Sequence, residues 1–104
     1  MGFFSYDSEQ AIAWNAINND PHNAEWSDEL IGDAAAYQAA EKYEEHVAAN
    51  GKPASQAQAK EILRGLAGAF VDRIIETKGL DFIDTQKAKH IANKQTVEIV
   101  AEDY

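Results

Sequence analysis

Residues 67–84, with the sequence AGAFVDRIIETKGLDFID, decide the fold of this chain. Phe70 and Ile74 recur at the spacing of one helix face, which predicts a helix over the first half of the stretch. Gly79 predicts the end of that helix, because glycine readily takes the left-handed conformation of a C-cap, and Leu80 can then fold back on the last turn in a Schellman arrangement. The stretch therefore contains a helix, its end and the approach to the next helix.

The flanking residues extend this stretch into a third helix and a fourth. Ser55 begins the third helix, and Gln58 completes a capping box with it. The apolar face of the third helix is the widest in the chain, so we expect this helix to be the central one. Asp81 or Asp84 can cap the fourth helix, and we expect Phe82 to tuck into the turn between the two.

The first half of the chain predicts two further helices. Asp7 can cap a short first helix, which Pro21 ends because proline disfavours helix at the residue before it. Ser27 can cap a long second helix that stops at Gly51. Residues 96–100 are rich in β-branched side chains, but a lone strand would have no partner, so helix is expected there as well.

These elements predict an all-α fold: a small antiparallel bundle of about four helices, one short and three longer. The 104 residues are too few to build two cores, so residues 1–104 should form a single domain. Within it, residues 1–6 would form an aromatic N-terminal arm and residues 101–104 a frayed tail.

Charge is concentrated in the first half of the sequence. Residues 1–51 contain ten acidic side chains and a single basic one, Lys42, whereas residues 52–104 contain eight of each. The whole formal net charge of −9 therefore belongs to the first half. Such a surface repels nucleic acids and anionic membranes. An acidic surface keeps the protein soluble and can attract a basic helix of the same bundle. Alternatively, it can serve as a docking face for a basic partner.

Composition excludes several classes of protein. The chain has no cysteine, which rules out disulfides, thiolate metal sites and a cysteine nucleophile. Its apolar runs are far shorter than the ~20 residues of a membrane span, and its start lacks the basic flank and apolar core of a signal peptide. We therefore expect a cytoplasmic protein that binds neither membranes nor nucleic acid.

The histidines do not follow a known metal-binding pattern. A di-iron bundle needs Glu-x-x-His pairs, but Tyr43 stands three residues before His46 and Lys87 stands three before His90. These two histidines and His22 could still meet in space from three elements. The sequence favours surface histidines instead, and it predicts no catalytic residue, no metal site and no cofactor.

Two glycines inside the third helix need an explanation, because each internal glycine costs about 1 kcal/mol relative to alanine. We expect the alanine-rich second helix to approach closely over Gly65 and Gly68. The alternative is a small hydrophobic ligand that lies over this bare backbone and is held by Tyr37, Tyr43 or Arg73. Otherwise the Arg73 guanidinium should pair with a nearby carboxylate.

Aromatic side chains are concentrated in the N-terminal quarter. They can cover a thin, alanine-rich core, or they can form an exposed interface, since aromatic residues are enriched where subunits meet. The residues in question are Phe3, Phe4, Tyr6, Trp14 and Trp26.

Three long segments resemble one known family. They are MGFFSYDSEQA at residues 1–11, ELIGDAAAYQAAEKYEEHVAANGKP at 29–53 and AKEILRGLAGAFVDRIIETKGLDFIDTQKAKHIA at 59–92. They are similar to the fungal family of concanamycin-induced protein C, the CipC-like antibiotic response proteins. The resemblance implies a small intracellular fungal protein whose abundance rises under antibiotic or other stress. It implies no reaction, and it assigns no catalytic residue to any position of this chain.

The first hypothesis for function is a non-enzymatic, stress-associated protein that acts by self-association, as a homo-oligomer, or by binding a protein partner. The second is a carrier of a small hydrophobic ligand between the helices. The third, which the residues favour least, is a metal-dependent or hydrolytic enzyme.

Overall fold

A computed structural model describes residues 8–19 and 26–103 of the chain, with side chains for residues 8–19 and 26–96. Over these residues the backbone forms four α-helices and no strand, which confirms the all-α prediction. The helices are α1 (Glu9–Asn19), α2 (Asp28–Asn50), α3 (Gln56–Lys78) and α4 (Thr85–Asp103).

Serine side chains begin the first three helices. The backbone N–H of Ala11 donates to Ser8 Oγ (3.1 Å), so the cap of α1 is Ser8. The predicted cap, Asp7, lies outside the described residues. Ser27 Oγ accepts from the N–H of Leu30 (3.0 Å) at the start of α2, as predicted.

The starts of α3 and α4 also follow the sequence. Ser55 Oγ accepts from the N–H of Gln58 (3.2 Å), while Gln58 Oε1 accepts from the N–H of Ala54 (3.0 Å). This is the predicted capping box, except that the Gln58 side chain accepts from the N–H of Ala54 instead of the N–H of Ser55. At α4 the N–H of Lys87 donates to Asp84 Oδ1 (3.1 Å), which selects Asp84 over Asp81 as the cap.

The predicted turn between α3 and α4 is confirmed at its first residues. Gly79 is left-handed (φ 67°, ψ 42°), and the N–H of Leu80 donates to the carbonyl oxygen of Ile75 (3.0 Å). Leu80 and Ile83 are buried. The prediction for Phe82 was wrong, since its side chain is 70% exposed.

The central helix is α2, not α3 as the sequence predicted. Among the described helices, α2 packs against α1, α3 and α4, whereas α3 packs against α2 and α4. Because α2 has neighbours on three sides, its alanines between residues 34 and 40 are buried around most of its circumference, rather than along one stripe. They are Ala34, Ala35, Ala36, Ala39 and Ala40.

Consecutive long helices run antiparallel, so α2 and α4 run in the same direction. Asp28 near the start of α2 lies beside Lys87 at the start of α4, and Asp33 one turn later lies beside Gln95. Between these contacts the two helices approach at Gly32. A Cβ built there would lie 2.6 Å from Cγ2 of Ile91.

The remaining predictions concern the N-terminal arm, His22, the C-terminal tail and membrane spans. The aromatic arm with Phe3, Phe4 and Tyr6, and also His22, lie outside the described residues. α4 includes residues 96–100, as predicted, and continues to Asp103 through most of the expected tail. Within the described part of the chain, no helix has the length and apolar character needed to cross a membrane.

Candidate functional site

Two open grooves are candidate sites. The first runs between α3 and α4 and has a volume of about 640 Å³. We call it the α3–α4 groove. Its lining residues are Arg64, Gly65, Gly68, Ala69, Asp72, Gln86, Lys89, His90 and Asn93.

Gly65 and Gly68 form the bare part of the α3–α4 groove, and the predicted close approach of α2 over them was wrong. Apart from the neighbouring backbone of α3 itself, no described atom lies within 4 Å of a Cβ built at Gly65. At Gly68 the nearest atom is Cε of Lys89, at an ordinary contact distance of 3.7 Å. α2 packs on the opposite face of α3, which presents Leu63, Ala67 and other buried side chains. The helix-propensity cost of both glycines therefore has no packing explanation in the described residues.

The polar side chains of the α3–α4 groove are unevenly paired. Lys89 Nζ lies 3.1 Å from Asp72 Oδ2, while Arg64 forms no ion pair with any described residue. His90 is exposed. Asn93 has a buried Oδ1 that accepts no hydrogen bond from any residue that the structure describes, and a buried acceptor without a partner usually costs about 1–3 kcal/mol. The groove thus offers one free guanidinium and a net positive charge.

The second groove lies on α2 beside α1, with one residue from α3, and has a volume of about 410 Å³. We call it the α1–α2 groove. Its lining residues are Trp14, Asn18, Tyr37, Gln38, Glu41, Lys42, Glu45 and Arg73.

Trp14 forms a fixed aromatic wall in the α1–α2 groove. Its indole Nε1 donates to Gln38 Oε1 (2.8 Å), and its ring centroid lies 5.4 Å from that of Tyr37 at a tilt of 44°. Such tilted aromatic pairs are favourable. The indole is therefore held in place from two directions.

Glu41 and Arg73 supply opposite charges to this groove without pairing. Neither side chain forms an ion pair with any residue that the structure describes. The expectation that Arg73 pairs with a carboxylate was therefore wrong. Its guanidinium carbon lies instead 5.4 Å from the centroid of the Phe70 ring. This cation–π contact orients the guanidinium and leaves its N–H donors available.

The residues predicted for one ligand site are thus divided among three places. Gly65 and Gly68 line the α3–α4 groove, whereas Tyr37 and Arg73 line the α1–α2 groove. Tyr43 lies in the core with 4% of its surface exposed. The set does not form a single site.

The two described tryptophans of the predicted interface lie against the core. Trp14 and Trp26 are both half-buried and pack on the buried cluster. This arrangement fits the first of the two roles that the sequence allows for them, which is to cover a core built largely of alanine.

A comparison with known protein families matches residues 13–103 to the family described as virulence factor CipC-like. The chain belongs to this family. The match covers most of the sequence and confirms the resemblance to the CipC-like family. Comparisons with curated proteins and with solved structures give no significant match.

The two described histidines of this CipC-like protein lie on different helices. His46 is exposed on α2, where its Nδ1 lies 3.5 Å from Asn50 Nδ2. His90 lines the α3–α4 groove. In the part of the chain that the structure describes, no three histidine or carboxylate side chains are grouped in a way that could hold a metal ion.

The residues that complete the α1–α2 groove could not be predicted from the sequence. Neither Glu41 nor Gln38 is among the site residues that the sequence predicts. The spacing of Tyr37, Gln38 and Glu41 places them on one side of α2. That Trp14 from α1 and Arg73 from α3 meet this side depends on how three helices pack, which no local pattern encodes.

Proposed function

We propose that this member of the CipC-like family is a non-enzymatic, cytoplasmic fungal protein of the stress and antibiotic response that acts by self-association. The family match and the resemblance support the biological setting. The α3–α4 groove, with its uncovered glycines, is the observation that carries the molecular part of the proposal.

The groove has the form of a docking surface for a helix. Two glycines remove side chains where a partner backbone would otherwise be held away, so a partner helix can approach the backbone of α3 closely. The turn that joins the two helices carries Phe82, which is 70% exposed. Exposed aromatic residues are frequent anchors at protein interfaces.

The occupant that we propose is the acidic second helix of another copy. Glu44 and Glu45 lie in the C-terminal half of α2, and we call them the α2 acidic pair. Glu44 forms no ion pair with a described residue, and burial together with the negative charge of Glu41 raises its pKa. A cation such as Arg64 would stabilise its ionised form.

The alternative of a hydrophobic ligand is less well supported at this groove. Six of its nine lining residues are polar or charged, whereas pockets for such ligands are lined mainly by apolar side chains. The groove suits a charged partner surface better than a hydrophobic small molecule.

Two double variants test the proposal. Arg64→Gln with Lys89→Gln removes both cations from the groove and leaves Asp72 as its remaining charged side chain, and Glu44→Gln with Glu45→Gln neutralises the α2 acidic pair. All four side chains are at the surface or half-buried, so both proteins should fold. We expect each to self-associate about tenfold or more weakly than the wild type, because each has lost the charges on one side of the contact.

Light scattering after size-exclusion chromatography gives the mass of each protein over a range of concentrations. An equimolar mixture of the two variants keeps one intact groove and one intact acidic pair, so a 1:1 complex should form. A wild type that stays monomeric throughout, or variants that associate as it does, would contradict self-association through these surfaces.

A further inference from the structure

The α1–α2 groove combines one anionic side chain, one cationic side chain and an aromatic wall. Glu41, Arg73 and Trp14 supply these three features from three different helices. From this arrangement we propose that the groove binds a small zwitterion, namely a free α-amino acid with an aromatic or large aliphatic side chain. This site is separate from the α3–α4 groove, and its three binding side chains lie outside the α2 acidic pair, although Glu45 of that pair also lines the groove.

The charges in the groove favour a ligand that carries both signs. Lys42 and Glu45 satisfy each other at 3.3 Å, which leaves Glu41 and Arg73 as the unpaired opposite charges. A purely anionic ligand would meet the carboxylate of Glu41, and a purely cationic ligand would meet the guanidinium of Arg73. A zwitterion satisfies both side chains at once.

The two charged side chains suit the two ends of an amino acid. The planar guanidinium of Arg73 can bind a carboxylate through two parallel N–H···O bonds. Its contact with Phe70 holds the plane in position, so less side-chain entropy is lost on binding. The carboxylate of Glu41 can accept from an ammonium group, and Glu41 is half-buried, where an ion pair is screened less than at an exposed position.

The aromatic wall suits the ligand side chain. Trp14 is already fixed by Gln38 and Tyr37 at 2.8 Å and 5.4 Å, so its ring needs little reordering when a ligand stacks on it. The groove volume of about 410 Å³ lies within the usual range for small-molecule pockets, about 300–1,000 Å³. It leaves room for an amino acid.

L-Phenylalanine is the probe, titrated into the wild-type protein and followed by NMR at the Trp14 indole N–H and the Arg73 Nε–H. A ligand of this size in an open groove should bind with a dissociation constant on the order of 1 mM. Both signals should shift together and saturate. A titration in which neither signal moves would overturn the proposal.

Arg73→Gln and Glu41→Gln should each weaken binding about tenfold or more, since each leaves one charge of the ligand unpaired. Lys78→Gln and Glu76→Gln provide matched controls, because they make the same charge changes at exposed positions of α3 outside both grooves. The controls should bind as the wild type does. Equal affinity for the Arg73→Gln or Glu41→Gln protein would overturn the assigned contacts.

Two derivatives test the ligand class directly. N-acetyl-L-phenylalanine lacks the ammonium group, and L-phenylalaninamide lacks the carboxylate. N-acetyl-L-phenylalanine should bind to the wild type as weakly as phenylalanine binds to the Glu41→Gln protein. L-Phenylalaninamide should bind to the wild type as weakly as phenylalanine binds to the Arg73→Gln protein. If either derivative binds as tightly as phenylalanine, the site does not recognise a zwitterion, and the proposal fails.

Discussion

A methyl group added at Gly32 would lie 2.6 Å from Cγ2 and 2.8 Å from Cβ of Ile91, and 3.1 Å from the carbonyl oxygen of Ala88. The last two atoms belong to the helix framework and cannot rotate away. Gly32→Ala therefore has to push α2 and α4 apart. We expect it to lower the free energy of unfolding by about 1–3 kcal/mol, as is usual for overpacking, even after the gain in helix propensity.

Gly65 predicts the opposite result for the same substitution. Apart from the backbone of α3 itself, no atom of the described residues lies within 4 Å of an added Cβ there, so Gly65→Ala should raise the free energy of unfolding by about 0.5–1 kcal/mol through helix propensity alone. Urea denaturation of both variants beside the wild type measures the two changes. Destabilisation by Gly65→Ala would mean that another part of the chain covers this position.

The sequence shows both glycines as breaks in strong helices, and it gives no means of telling them apart. The expectation of a close helix approach was physically sound, but it applied to Gly32 and not to Gly65. Which glycine faces a neighbour depends on the rotation of each helix about its axis. That rotation is set by the packing of the whole bundle.

Local signals predicted the elements well, because caps act within a few residues. Ser27, Ser55 and Gly79 each make the backbone contact that their position in the sequence indicates. Which helix lies at the centre of the bundle could not be predicted in the same way. α3 has the widest apolar stripe, but α2 is central because its small alanines allow three neighbours to approach.

A short polar chain links three helices at the level of Asp33. Gln10 Nε2 on α1 donates to Gln95 Oε1 on α4 (2.6 Å), and Gln95 Nε2 donates to Asp33 Oδ1 on α2 (2.6 Å). Burial raises the pKa of Asp33, and the hydrogen bond from Gln95 lowers it in part. Nearby Glu9 and Glu29 raise it further.

This raised pKa has a definite effect on stability. Since the folded protein holds the Asp33 proton more tightly than the unfolded chain, this group adds stability as the pH falls from 7 through its folded pKa towards 3.8. At pH 7 its ionised form is unfavourable. Asp33→Asn keeps an acceptor for Gln95 and should therefore raise the melting temperature at pH 7.

Thermal unfolding of the wild type and of Asp33→Asn at several pH values checks this prediction. The advantage of the variant should shrink as the pH falls through the folded pKa, because the wild-type carboxyl is then neutral as well. An Asp33→Asn protein that melts lower than the wild type at pH 7 would show that the carboxylate contributes more through its contacts than it loses by burial.

At the scale of the whole molecule, the net charge opposes self-association, whereas the local charges of the proposed interface favour it. The net charge of −9 makes two copies repel each other at a distance, while the α3–α4 groove and the α2 acidic pair would attract in contact. The overall imbalance was visible in the sequence. The location of the cationic groove was not, because Arg64 and Lys89 stand 25 positions apart and only the pairing of α3 with α4 brings them together.

The long-range repulsion and the short-range attraction together predict that self-association is strongest at an intermediate ionic strength. At 0.01 M salt the screening length is about 30 Å, so the repulsion between whole molecules should prevent association. Near 0.15 M it falls to about 8 Å, which screens that repulsion while contact pairs such as Arg64 with Glu44 remain. Towards 1 M the contact pairs weaken as well.

Sedimentation velocity at one protein concentration should show the largest assembly near 0.15 M, and Arg64→Gln with Lys89→Gln should remove this maximum. An assembly that grows steadily up to 1 M salt would instead indicate an apolar interface, to which Phe82 could contribute.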